Sequence, residues 1–176
     1  MYEVSLMRKL LTLAVPGLLA GAANAETLEV SVEIPKLTVS EYHRPYVAIW
    51  IEGADKTVVA NLSAWYDVKL KDEEGEKWLK DIRQWWRRSG RSLELPLDGV
   101  SSPTKAPGVN RQSFKTGSPT LPELKPGDYT LIVEAVREVG GKEMIEIPFK
   151  WTSGTEVTAS GAGKEELGAV TLKIVK

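Results

Sequence analysis

Leu28, Val30, Val32 and Ile34 alternate with Glu29, Ser31 and Glu33, which places the apolar side chains of an extended chain on one face and predicts a half-buried strand. Pro35 ends it. Tyr46 to Glu52, YVAIWIE, is dense in β-formers and runs into Gly53-Ala54-Asp55-Lys56, a turn composition. Thr57 to Val68 supplies a further strand or a bent pair of strands, so a β meander is expected here. The pattern then changes: Trp78, Leu79, Ile82, Trp85 and Trp86 recur at three- and four-residue spacing within Asp72 to Arg88, which predicts one short amphipathic helix ended by Ser89-Gly90. Six prolines between Arg91 and Pro126 predict loops with short extended pieces.

Strands return in the last third. Thr130 to Val139 and Met144 to Trp151 flank Gly140-Gly141, the signature of a hairpin with a two-glycine turn. Gly168 to Val175 alternates as a final strand. The lead-in Leu124-Lys125-Pro126-Gly127-Asp128-Tyr129 resembles a tyrosine corner, in which a Tyr hydroxyl bonds back to preceding backbone. Seven or so strands with turns between them and one inserted helix predict a mainly β fold, an immunoglobulin-like antiparallel β-sandwich. No internal repeat is present.

The N-terminal segment is of another kind. Arg8 and Lys9, an apolar run from Leu10 to Ala23 and the small-x-small end Ala23-Asn24-Ala25 follow the layout of a cleavable secretory signal. The run is broken by Pro16-Gly17 and is short for a span of about 20 residues. The expected division is therefore a signal peptide at 1–25, a single sandwich domain at 26–176, and a periplasmic mature chain that does not span the membrane. Removal of 1–25 leaves 21 basic against 23 acidic residues, net −2, without the basic stripe that nucleic acid calls for. The absence of cysteine excludes disulfides, thiolate metal sites and thiol nucleophiles. Stability then rests on the apolar core, for which Trp50, Trp65, Trp85 and Trp86 supply large surfaces.

Catalytic signatures are few. His43 is the single histidine, and neither a Gly-x-Ser-x-Gly elbow nor a P-loop occurs. The informative segment is the loop Asp98-Gly99-Val100-Ser101-Ser102-Pro103-Thr104. It resembles the flavinylation motif of proteins modified by FAD:protein FMN transferases, such as the FMN-carrying subunits of sodium-pumping NADH:quinone reductase. In that motif an Asp and then a Ser or Thr precede Gly-Ala-Thr, whose last residue carries FMN through a phosphoester. Asp98 stands six positions and Ser101 three positions before Thr104, as the motif requires, while Ser102-Pro103 replaces Gly-Ala. The resemblance implies Thr104 as acceptor. The cluster Arg83, Arg87, Arg88, Arg91 and Lys105 offers cations for a phosphate, Trp85 and Trp86 offer faces to a flavin ring, and His43-Arg44 offers a contact to phosphate or ring edge.

The tracts YHRPYVAIW (42–50), KWLKDIRQWWRRSGRS (77–92), DGVSSPTKAPG (98–108) and LKPGDYTLIVEAVREVGG (124–141) together resemble the predicted periplasmic proteins of domain-of-unknown-function family 2271. That resemblance covers most of 28–151 and implies association with extracytosolic flavin redox systems of PepSY-type membrane proteins and FMN transferases. The expected function is thus a periplasmic electron-transfer or redox-accessory protein, not an enzyme acting alone, that carries FMN covalently. Its expected partners are an FMN transferase and a membrane redox protein. The alternative is a cofactor-free binding module for a partner protein or glycan.

Overall fold

The computed structural model describes residues 26–176, so the expected signal peptide lies outside the described residues. The chain folds as the expected mainly β, immunoglobulin-like sandwich. Strands β1 (Thr27–Ile34), β2 (Tyr46–Gly53) and β3 (Val58–Trp65) come first, followed by two short helices, α1 (Glu74–Lys77) and α2 (Arg83–Arg88). Then come β4 (Ser101–Ser102), β5 (Gly108–Lys115), β6 (Gly127–Val136), β7 (Lys142–Trp151), β8 (Val157–Ala162) and β9 (Ala169–Val175). One sheet has the order β5-β1-β9-β8 and the other β4-β3-β2-β6-β7. All pairings are antiparallel except the two-residue contact of β4 with β3. No helix among the described residues is long and apolar enough to cross a membrane.

The period-two runs explain the inner core. Leu28, Val30, Val32 and Ile34 of β1 meet Val47, Ile49 and Ile51 of β2 and Leu131, Val133 and Ala135 of β6. The other face of β2 is also covered: Ala48 and Trp50 join Ala64, Tyr66 and Ile132 beneath Leu79, Ile82 and Trp85. Burial on both faces accounts for the unbroken apolar run of β2. The buried indole N–H groups are satisfied, Trp50 by Glu52 at 2.8 Å, Trp65 by Ser63 at 2.8 Å and Trp85 by Asn61 at 2.8 Å. The tyrosine corner is present, with the Tyr129 hydroxyl donating to the Lys125 carbonyl at 2.8 Å.

Three expectations change. The single helix over 72–88 is instead α1 and α2 with 3-10 turns at Lys71–Glu73, Leu79–Asp81 and Gly90–Ser92. Asp72 and Glu73 have positive φ and Ile82 has ψ 76°, so the helix cannot continue through either place. Within the expected loop region, β5 is a full eight-residue strand whose register with β1 runs from Ile34↔Gly108 to Thr27↔Lys115. Finally, the β6–β7 turn spans Arg137 to Gly141, and Val139 rather than a glycine takes positive φ, at 51°. Gly140 and Gly141 serve close approach instead: a Cβ there would sit 2.4 Å from the Arg137 guanidinium and 2.9 Å from the Glu166 carboxylate.

Candidate functional site

Thr104 follows β4, and the residues before it are held firmly. Ser101 Oγ accepts from the Leu97 N–H at 2.9 Å and from the Tyr66 hydroxyl at 3.3 Å. The Ser102 carbonyl accepts from the Tyr66 N–H at 3.0 Å. On the far side, the Lys105 ammonium lies 5.7 Å from the Trp65 ring centroid, within cation–π reach. Thr104 is half-buried between these anchors, and its hydroxyl donates to Asp67 Oδ1 at 3.5 Å. Asp67 also accepts from the Tyr46 hydroxyl at 3.3 Å. Burial, first, pushes the Tyr46 hydroxyl up to about 12, with the Asp67 charge adding to it, so Tyr46 remains a donor.

These groups line a cavity of about 670 Å³, within the range of roughly 300–1,000 Å³ usual for small-molecule sites. Arg44, Arg137, Tyr42 and His43 line it as well. So do Leu70, Trp78 and Val139, which are 46%, 56% and 69% exposed and account for half of the large exposed apolar side chains among the described residues. The charged lining is mixed, Arg44 and Arg137 against Asp67, Asp81 and Glu138, beneath an apolar rim. His43 Nε2 lies 2.8 Å from Glu41 and Nδ1 lies 3.5 Å from Glu138. The hydrogen bond to Glu41, first, raises the imidazole pKa; burial opposes it, and the Glu138 charge adds to the rise.

Of the residues singled out from the sequence, Thr104 and His43 share this cavity. Ser101 supports the loop beneath Thr104, while Asp98 is exposed at the turn before Gly99, whose φ is 74°. Trp85 is fully buried against the outer face of the second sheet, and half-buried Trp86 packs beside it with ring centroids 6.4 Å apart. Neither lines the cavity. Arg88 pairs with the buried Glu52 and borders a different groove, of about 660 Å³ beside β3. Arg83 and Arg87 line a third hollow with Glu134 and Lys142. The cations at Thr104's cavity are Arg44 and Arg137, and its exposed indole is Trp78. Tyr42, Arg44, Tyr46, Trp78 and Arg137 stand inside the quoted tracts and Asp67 outside them, but nothing along the chain marks them as neighbours, since only folding brings them together.

Among the described residues, no three His, Asp or Glu side chains converge as a metal site. The family model described as Predicted periplasmic protein (DUF2271) matches residues 27–169, and the chain belongs to that family. No curated protein and no solved structure matches the chain.

Proposed function

We propose that this family member is a periplasmic redox-accessory protein that carries FMN as a phosphoester on Thr104. The supporting observation is that the Thr104 hydroxyl opens onto a cavity rather than into the sandwich core, beside Asp67 and Tyr46 and in the company of two arginines. In this reading Arg44 balances the phosphate charge, and Trp78, Leu70 and Val139 present the apolar surface that a flat ring needs. A bound flavin would supply electron transfer, which no thiol of this chain can. The residues around it hold and orient: Asp67 and Tyr46 fix the side of the loop on which the Thr104 oxygen lies, and Lys105 on Trp65 restrains the backbone beyond it. Pro103 restricts that backbone further through its fixed φ.

The test is co-expression of the exported protein with a periplasmic FMN transferase. Expected is a fluorescent band that survives denaturation, a mass raised by one FMN less one water, and loss of both in Thr104→Ala. A bare mature mass in the presence of an active transferase overturns the reading. It would leave the second one, a cofactor-free module that uses the exposed Trp78 rim to hold a partner protein or glycan.

A further inference from the structure

Among the described residues, two hydrogen-bonding atoms of residues that line the cavity have no partner. They are Nη1 of Arg137 and the hydroxyl of Tyr42. Arg137 is 7% exposed and otherwise well engaged: its Nε donates to Glu166 at 2.9 Å and its Nη2 donates to the same carboxylate at 3.1 Å. Glu166 in turn accepts from the Gly141 N–H at 2.8 Å. The pair therefore holds the guanidinium in a fixed place and leaves one of its donors idle. Tyr42 lies on the irregular stretch between β1 and β2. Burial raises its pKa, opposed by the charges of Arg137 and Arg44, so the hydroxyl stays protonated and can donate.

A buried donor without an acceptor costs free energy, and native proteins leave few of them. Here two belong to residues that line one cavity, and each can donate, the Tyr42 hydroxyl being able to accept as well. Among acceptors, a carbonyl oxygen conjugated to a ring fits a cavity whose rim is Trp78, Leu70 and Val139. We infer that Arg137 and Tyr42 form a subsite for the carbonyl edge of a flat heteroaromatic ring, separate from the ester-forming Thr104. The inference deepens the flavin reading and rests on it for the ring's identity: the pyrimidine-dione edge of a flavin is such a group. A cation at that edge also favours electron density there, which gives Arg137 a tuning role toward the cofactor.

The experiment uses the Thr104→Ala protein, which cannot be esterified at that position, with riboflavin as probe because it has the ring and lacks the phosphate. Binding is read by riboflavin fluorescence anisotropy and by calorimetry. Expected is saturable binding that Tyr42→Phe weakens about tenfold, the value of one hydrogen bond, with an unchanged or raised Tm because an unpartnered hydroxyl has gone. Arg137→Lys keeps a cation against Glu166 while removing Nη1, and should weaken binding similarly. Absence of riboflavin binding, or equal binding by Tyr42→Phe, overturns the subsite. So does a fall in Tm with no change in binding, which would mean that the hydroxyl serves the fold alone. Displacement of riboflavin by inorganic phosphate overturns the ring-carbonyl assignment in favour of an anion site. Esterification of Thr104 is read separately by mass in the unsubstituted protein. A bare Thr104 with Tyr42-dependent riboflavin binding sinks only the covalent reading, and an esterified Thr104 with a riboflavin-indifferent Tyr42 sinks only the subsite.

Discussion

His43 has carboxylates on both ring nitrogens, Glu41 at 2.8 Å and Glu138 at 3.5 Å. Its pKa is raised above 6.5, first by the hydrogen bond to Glu41. A raised folded value means that the contribution of this contact to stability is complete below about 6.5 and disappears as the pH rises through the folded value. Because the chain has a single histidine, one imidazole resonance reports it. The titration midpoint is expected above 6.5 in the native protein and to fall in Glu41→Gln. A native midpoint at or below 6.5 contradicts the contact. Nearby, Val139 shows how one residue's conformation answers to its neighbours. A β-branched residue at φ 51° is disfavoured, yet the strain sits there because the glycines beside it are needed where Arg137 and Glu166 approach the backbone.

At the scale of elements, the broken helical segment is held down by a strand. Glu134 of β6 accepts from the backbone N–H of Gln84 at 3.0 Å and of Trp85 at 2.9 Å, which satisfies first-turn donors that a helix cannot satisfy itself. No side chain of the segment caps α2, so the cap is tertiary. Glu134→Ala leaves those donors unmet and should cost about 1–3 kcal/mol in urea unfolding. The Trp85 environment should loosen, seen as a red shift in tryptophan emission, while far-UV circular dichroism keeps its β character. Glu134→Gln retains an acceptor and should recover part of the loss. An unchanged midpoint in Glu134→Ala would mean that α2 is held by its apolar face alone. Strand edges show the complementary effect. β5 and β8 form the two margins of the four-stranded sheet, and each has alternate residues facing out, so neither needs a strong apolar pattern.

At the scale of the whole molecule, the two sheets are tied at one end by carboxylates. Glu143 of β7, in the five-stranded sheet, accepts from the backbone N–H groups of Glu165, Glu166 and Leu167 at 3.1, 3.0 and 2.9 Å and from that of Lys164. That loop joins β8 to β9 in the other sheet. Arg137 and Glu166 span the same gap beside the cavity. Burial pushes the Glu143 carboxyl up, but the four N–H groups, Leu167 first, outweigh it and hold the pKa below 4.5. A lowered folded value gives stability that is complete above the unfolded value and is lost as the pH falls through the folded one. Glu143→Gln should therefore cost about 1–2 kcal/mol near neutrality, the lower part of the charged range because the site is half-exposed. The native protein should approach the variant's stability below pH of about 4. A variant that stays less stable by the same margin at low pH would show that shape rather than charge makes the tie.

Strands β1, β7 and β9 were legible along the chain because a half-buried strand repeats every second residue, while β2 and β6, buried on both faces, were legible as dense β-forming runs bounded by turn residues. The tyrosine corner was legible too, since it is made within five residues of sequence. The edge strands β5 and β8 were not, because their alternation is weak and they are fixed by pairing with β1 and β9. Helical spacing marked the inward side chains Leu79, Ile82 and Trp85, but it also put Trp78 on that face, which is 56% exposed, and it did not show the breaks between them. Of the candidates named from the sequence, Thr104 came from the motif resemblance and His43 from being the single histidine, and both line the cavity. Which arginines and which indole share their cavity was decided by the folded chain alone, since Asp67, Arg137 and Thr104 are separated by dozens of residues and meet only once the sheets are packed.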